Sequence, residues 1–428
     1  MTEGDVTGQI VFWGGAKWRS HILGRPGGRT ANIPSGNCRP PKADPYPKNI
    51  MEIYPMHKSF KPIDRVLMGP GPANVHPRVL DALSKPALGH LDPQFIELMD
   101  EIKVLLKYTF KTESENTFVL SGPGSLGMEA CLVNLVEPGS KVIVCVAGYF
   151  ANRMTQIVSK FGGHVVVVKD DWGRAVDPQK LEGALKNNPD TKVVAFVHAE
   201  TSTGALSNIK LLSEIAHKSG ALVIADVVTS LGAVDVYVDD WQLDAVYSCS
   251  QKGLACVAGM SPVSFSERAV HFIKNRKTQI QSWFNDLTLL GSYWNGPGKR
   301  AYHHTAPSNQ YYGLHEALMI LKDEGIENAW RRHRENSASL ISKLKSQLGL
   351  EPIVPNGERI PHLLTIKVPE GIDEAKVRSE LLTKHNLEIG AGLGELAGKV
   401  WRIGLMGYNS NEKLIDFCVH SLKDVLKK

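Results

Sequence analysis

Four short stretches of this chain combine residue types that could do chemistry, and each lies at or just beyond an apolar run. In the first, Ser121-Gly122-Pro123-Gly124-Ser125-Leu126-Gly127 separates the run Thr117–Leu120 from a helical pattern through Glu129–Val136. Backbone amides at a helix start, joined by serine hydroxyls, make a cup for a phosphate group. The same stretch fits the spacing G-x-G-x-x-G, which raises a dinucleotide fold. That reading requires an acid about 20 residues on, at the end of the next strand, to hold a ribose. The next run ends in Ala147-Gly148, with no acid, so the loop reads as a phosphate cup and not as a dinucleotide fingerprint.

In the second, Asp226 closes the run Ala221–Ala225. It could cap a following helix, or it could be a buried anion that holds a protonated heterocyclic nitrogen. In the third, Lys252 follows small residues in Tyr247-Ser248-Cys249-Ser250-Gln251-Lys252-Gly253. A lysine amine shielded from water is a nucleophile able to form a Schiff base with a carbonyl. In the fourth, Arg402 stands within the apolar run Val400-Trp401-Arg402-Ile403-Gly404. It needs an anion there, and its planar fork suits a carboxylate. Phosphate cup, anion, amine and carboxylate-binding fork together form the part list for pyridoxal 5′-phosphate chemistry on amino acids.

The elements that must position these parts follow from hydrophobic patterning. Apolar runs at Thr117–Leu120, Val142–Val146, His164–Val168, Val193–His198, Ala221–Ala225, Ala245–Ser248 and Pro262–Phe265 are mostly continuous. Continuous runs predict strands buried on both faces of a parallel sheet. Helical patterns such as Asp177–Lys186 and Ile209–Lys218 lie between them, the second closed by Gly220. Past about residue 320 a long polar helix near Gly325–Leu348 leads into a βαβ-like tail. The expected fold is α/β, with a mainly parallel sheet covered by helices on both faces and a smaller C-terminal α+β domain. The boundaries expected are a basic extension over 1–58, a large domain over 59–322 and a small domain over 323–428. In open sheets of this kind ligands sit at the carboxyl ends of the strands, where the cup, Asp226 and Lys252 all fall.

Composition narrows the function classes. The 428 residues are 43% hydrophobic and 22% charged, ordinary globular values. No stretch approaches the roughly 18 apolar residues of a membrane span. Residues 1–50 carry seven basic and three acidic side chains, which leaves 42 basic against 41 acidic in the remainder. A near-neutral body gives no electrostatic support for a nucleic-acid partner. The six cysteines show no metal-type spacing and read as buried thiols in a reducing compartment. Residues 1–50 hold eight Gly and six Pro, which fits a disordered extension or an organelle transit peptide, with Met51 an alternative start. Peroxisome or mitochondrial matrix is the expected compartment, although the C-terminus is not a Ser-Lys-Leu type signal.

The motifs, taken in order, resemble those of the class V aminotransferases of fold type I, within the alanine–glyoxylate and serine–pyruvate group. They are Gly69-Pro70-Gly71-Pro72, the Ser121 cup with Gly127-Met128-Glu129-Ala130, Glu200-Thr201-Ser202-Thr203-Gly204, Asp226 with Thr229-Ser230-Leu231-Gly232, Ser250-Gln251-Lys252, Tyr302-His303-His304-Thr305 and Gly392-Leu393-Gly394. The resemblance implies transamination of a small amino acid, alanine or serine, with glyoxylate as acceptor and pyridoxal 5′-phosphate as cofactor. It makes Lys252 the Schiff-base and proton-shuttling residue, with Asp226 on the pyridine nitrogen. It places Thr201 at the ring hydroxyl, Gln251, Gly124 and Ser125 at the phosphate, Val228 along the cofactor, and Arg402 on the substrate α-carboxylate. It also sends Tyr302 and Thr305 to the phosphate of a second subunit, implying a homodimer with shared active sites. Three positions depart from the family. Pro123 replaces a donor in the cup, Phe150 stands where a Trp often stacks on the ring, and Gly253–Gly259 lacks the usual proline pair.

Other readings compete. Ureidoglycine–glyoxylate transamination, or a lyase or desulfurase, could use the same scaffold. A desulfurase needs a loop cysteine late in the chain, and Cys418 lies instead in an apolar pattern. A nicotinamide oxidoreductase built on Gly122–Gly127 lacks its acid. His303 and His304 read as packing residues and not metal ligands, Trp283, Tyr293 and Trp294 as core or dimer surface, and Arg331–Glu335 as a solvated helix face.

Overall fold

The computed structural model describes residues 59–295 and 300–427. The expectations for the basic extension over 1–58, whether disorder or targeting, lie outside the described residues. After strand β1 (Val66–Leu67), helices α1 (Pro77–Leu83) and α2 (Pro93–Phe110) lead into the main sheet. Its strands are β2 (Thr117–Leu120), β3 (Lys141–Val146), β4 (His164–Lys169), β5 (Val193–Val197), β8 (Leu222–Asp226), β9 (Ala245–Tyr247) and β10 (Ser261–Phe265). A short hairpin of β6 (Ala199–Glu200) and β7 (Ala205–Leu206) projects after β5. Helices α3 (Gly124–Leu135), α4 (Tyr149–Lys160), α5 (Pro178–Asn187) and α6 (Ile209–Lys218) alternate with the strands.

The sheet runs in the order β2-β10-β9-β8-β5-β3-β4. All neighbouring pairs from β4 to β9 are parallel, and β10 alone runs against both its neighbours. Continuous Val/Ile/Ala runs explain this arrangement, because β2, β5, β8, β9 and β10 are buried at every position. The predicted seven-strand set is therefore present, with boundaries shifted by one residue at most.

Helices α7 (Glu267–Lys274), α8 (Leu287–Trp294), α9 (Ser308–Glu324) and α10 (Ile326–Leu348) follow. The tail adds β11 (Leu363–Lys367), α11 (Glu374–His385), β12 (Leu387–Glu388), β13 (Gly390–Ala391), β14 (Val400–Gly404) and α12 (Glu412–Leu426). Strands β11 and β13 flank β14, and both run antiparallel to it. The βαβ-like pattern is thus a split unit, with β14 inserted between two strands that point the same way. A second hydrophobic core, with Trp401, Ile403, Leu364, Leu344 and Met68, lies behind this small sheet. Met68 reaches it because β1 pairs with β12.

One expectation needs correction. Arg331–Glu335 is not a uniformly solvated face. His333 is fully buried, with Nδ1 2.7 Å from the Ala329 carbonyl and Nε2 accepting from the Gly407 N–H at 3.1 Å. Arg332 grips Glu324 with two nitrogens and donates to the Gly407 and Ser410 carbonyls. The helical period accounts for this, since 333 shares a face with the buried 326, 330, 337 and 340. Trp283 is 63% exposed, unlike the buried Tyr293 and Trp294, and stacks on His303. Among the described residues no helix is long and apolar enough to cross a membrane.

Candidate active site

The carboxyl ends of β2, β3, β5, β8 and β9 open onto one cavity. It is lined by Pro123, Gly124, Ser125, Phe150, Thr201, Asp226, Val228, Gln251 and Lys252, all singled out in the sequence. Arg153, Met128, Val197, Ala199, Tyr247 and Cys249 complete it.

The cup forms because helix α3 begins earlier than its apolar pattern suggested. Gly124 and Ser125 are its first residues, Pro123 is the N-cap, and no side chain caps the helix. Its first N–H groups therefore face the cavity without a side-chain acceptor, the condition for anion binding. Gly124 is required by close approach. A Cβ there would meet Cys249 Cβ at 3.1 Å and Val228 Cγ2 at 3.2 Å. Ser121 at the rim lies 2.8 Å from His304 Nε2, and His304 in turn contacts His303, so both histidines are held in hydrogen-bonded and ring-packed positions.

Asp226 does not cap a helix, since only turns follow β8. It is 3% exposed, accepts from the Val228 N–H at 2.8 Å and accepts from the Tyr247 hydroxyl at 2.7 Å. Among the described residues no cation lies within ion-pair distance of it. Burial pushes its carboxyl up to about 7, against the lowering pull of those two hydrogen bonds. A buried carboxylate left in that condition favours a cationic ligand atom beside it.

Lys252 follows β9 in the turn before β10. Its Nζ donates to the Pro70 carbonyl, with the Gly71 carbonyl 3.4 Å away. Burial lowers its pKa from the ordinary lysine value, and Arg402 adds to that lowering. The amine is thereby biased toward the neutral, nucleophilic form. Gly71, at φ +92°, leaves the lysine its room, since a Cβ there would stand 2.7 Å from Nζ.

Arg402, in the centre of β14, is 6% exposed. Its Nε donates to the Ala391 carbonyl at 2.7 Å and its Nη1 to the Thr201 carbonyl at 2.9 Å. Among the described residues it has no carboxylate partner, and burial lowers its pKa to about 10. Two carbonyls thus fix the fork while its charge stays unmet. Thr201 holds its hydroxyl against that of Thr229. Tyr302 and Thr305 lie outside the cavity, exposed, with their hydroxyls 3.3 Å apart.

Three contributors were not singled out in the sequence. Glu200 is buried and accepts from the N–H groups of Phe150 and Ala151 and from the Ser202 hydroxyl, capping α4 from another strand. Tyr247 supports Asp226. Arg153 sits three residues after Phe150 on the same helix face, donates to Ser125 Oγ at 3.0 Å and stands 5.1 Å over the Phe150 ring. The i, i+3 spacing from Phe150 was the available signal for Arg153.

The donor set fits pyridoxal 5′-phosphate. The open helix start and the Gly124 cradle match its phosphate, Asp226 its pyridine nitrogen, Phe150 its ring face and Lys252 its aldehyde. Gln251 Oε1, buried and without a partner among the described residues, leaves a further polar group for the ligand.

Comparison with known proteins agrees. The family model for Aminotransferase class-V matches residues 65–417. The chain is similar to the alanine–glyoxylate aminotransferase of Drosophila melanogaster, at 38% identity over 88% of this chain and 97% of that protein. It is also similar to the (S)-ureidoglycine–glyoxylate transaminase of Bacillus subtilis, at 34% identity over 85% and 90% of the two. The solved alanine–glyoxylate aminotransferase of Nostoc sp. superposes with a TM-score of 0.83 at 44% identity, covering 86% of this chain and 98% of that one. The chain belongs to the class V aminotransferases, enzymes of fold type I that work with pyridoxal 5′-phosphate.

Proposed function

We propose that this aminotransferase moves the amino group of a small donor, alanine or serine, onto glyoxylate. The observation that carries this reading is the fixed, unmatched charge of Arg402, held by the Thr201 and Ala391 carbonyls. It offers one carboxylate site of the kind an α-amino acid and a 2-oxo acid share. The names of the Drosophila and Nostoc relatives favour alanine as donor. That of the Bacillus relative keeps ureidoglycine as the second reading.

Each residue then has a task. Arg402 grips the α-carboxylate and sets which substrate bond faces Lys252. Lys252 Nζ, its pKa lowered by burial, takes the proton from the substrate Cα and later returns it. Pyridoxal 5′-phosphate, when bound, would supply the electron sink for the charge left at Cα. Asp226 would keep a proton on the ring nitrogen of the cofactor, with Tyr247 and the Val228 N–H supporting its negative charge. Phe150 packs along the ring face and Thr201 offers a hydroxyl beside it. The α3 start, Ser125 and Gln251 hold the phosphate end.

We further propose a homodimer in which Tyr302 and Thr305 serve the partner subunit's phosphate. Their exposure, with Tyr302 at 61%, and their absence from the lining of the cavity support this. Steady-state kcat/KM for alanine, serine, ureidoglycine, aspartate and glutamate against glyoxylate tests the substrate reading. Aspartate or glutamate used as well as alanine would overturn it, because a distal carboxylate needs its own cation in a partly dry site.

A further inference from the structure

Two helices start side by side at this cavity, and only one start is filled by the protein. The first N–H groups of α4 go to Ser202 and to the buried carboxylate of Glu200. Among the described residues the start of α3 receives no side chain, and its N-cap, Pro123, contributes neither an N–H nor a hydroxyl. The side chain of Arg153, from the first turns of α4, reaches to this open start and donates through Nη1 to Ser125 Oγ. Its guanidinium lies over the rings of Phe150 and Tyr149, at 5.1 and 5.5 Å, which orient the fork. Among the described residues no carboxylate lies within ion-pair distance of it. An arginine in that position on a cavity wall calls for an anion from outside the chain.

Resting on the pyridoxal-phosphate assignment, we propose that Arg153 is a phosphate-holding residue, the cation of a cup whose neutral donors are the α3 amides and Ser125. Ser125 joins the two lines of evidence, because it is both the second residue of the uncapped helix and the hydroxyl that Arg153 grips. A distal substrate carboxylate is the competing anion, and it is disfavoured because the substrate fork, Arg402, is tied to Thr201 and Ala391 and not to the cup. A phosphate-holding role would also offset the donor that proline removes from the cup. Charge-assisted, two-pronged bonds are about twice as strong as neutral ones.

The experiment titrates cofactor-free protein with pyridoxal 5′-phosphate and, separately, with pyridoxal, which has no phosphate, and reads both Kd values from intrinsic fluorescence. The parent should prefer the phosphorylated compound, and Arg153→Gln should reduce that preference about tenfold or more while leaving the Kd for pyridoxal unchanged. Arg153→Lys, which keeps the charge without the fork, should fall between the two. An unchanged preference in Arg153→Gln, or equal weakening toward both compounds, overturns the proposal. So does a defect confined to KM for aspartate and glutamate. Should Arg153→Gln fail to fold, a preference in Arg153→Lys equal to the parent's overturns it. A parent that binds neither compound would overturn the cofactor assignment itself.

Discussion

The Tyr247 hydroxyl donates to Asp226 Oδ2 at 2.7 Å, between residues that are register partners on adjacent parallel strands. The two side chains therefore emerge on the same face at the same height, and the contact depends on sheet register alone. Tyr247→Phe removes one of the two hydrogen bonds that favour the ionised carboxyl. Bonds to charged groups contribute about 1.5–3 kcal/mol. Turnover at saturating cofactor should fall roughly 10- to 100-fold, as measured by kcat for alanine with glyoxylate. An undiminished kcat would mean that Asp226 keeps its charge without this support.

Asp226 also makes the cofactor-free protein sensitive to pH. Burial raises its folded pKa from 3.8 to about 7, so the folded chain holds a proton that the unfolded chain has released. The stability this contributes is complete below about pH 4 and is lost as pH rises from 4 toward 7. Asp226→Asn never carries the charge. In the cofactor-free state it should match the parent near pH 4 and exceed it above pH 7, by on the order of 3 kcal/mol. Thermal unfolding across that range checks the sign. With cofactor bound the order should reverse in activity, the variant losing kcat because nothing holds the ring nitrogen protonated.

Lys252→Ala removes both the amine that joins the cofactor and the base at Cα. The variant should fold and retain cofactor loosely, with turnover down by at least about 10³-fold. Loss of the visible absorption of the lysine-bound cofactor checks the first role, and single-turnover kinetics check the second. Comparable turnover in the variant would sink the mechanism.

Arg402→Lys keeps a charge but cannot span the Ala391 and Thr201 carbonyls and still present a fork. Donor kcat/KM should fall about 10- to 100-fold for every amino acid alike, since all share the α-carboxylate. A loss for one donor only would place Arg402 at a side chain instead.

The parts legible in the sequence were those fixed by local order. The ends of β2, β8 and β9 announced themselves by an apolar run followed by a Ser/Gly loop, Asp226 or Lys252, and the cavity joins these residues as expected. What the sequence did not disclose depends on partners far apart in the chain. Glu200 caps a helix that begins 51 residues before it, and nothing local to either segment marks that bond. Tyr247 read as an ordinary strand residue until register set it beside Asp226. His333 was hidden in a run of charges whose helical period turns one member inward. The split of the tail by β14 was equally invisible, because strand direction is decided by packing and not by pattern.

The segment that holds Lys252 at rest does not belong to the lysine's own sheet. Met68 accepts from the Gly404 N–H at 2.8 Å, Gly69 lies so close to Gly404 that a Cβ there would strike its carbonyl, and Pro70 fits against Gly390 in the same way. Residues 68–71 are thus seated on β13 and β14 at one end and accept the hydrogen bond of the Lys252 amine at the other. Arg402 stands on the same strand β14, so the carboxylate fork and the resting place of the Lys252 amine in the cofactor-free protein hang on one shared support.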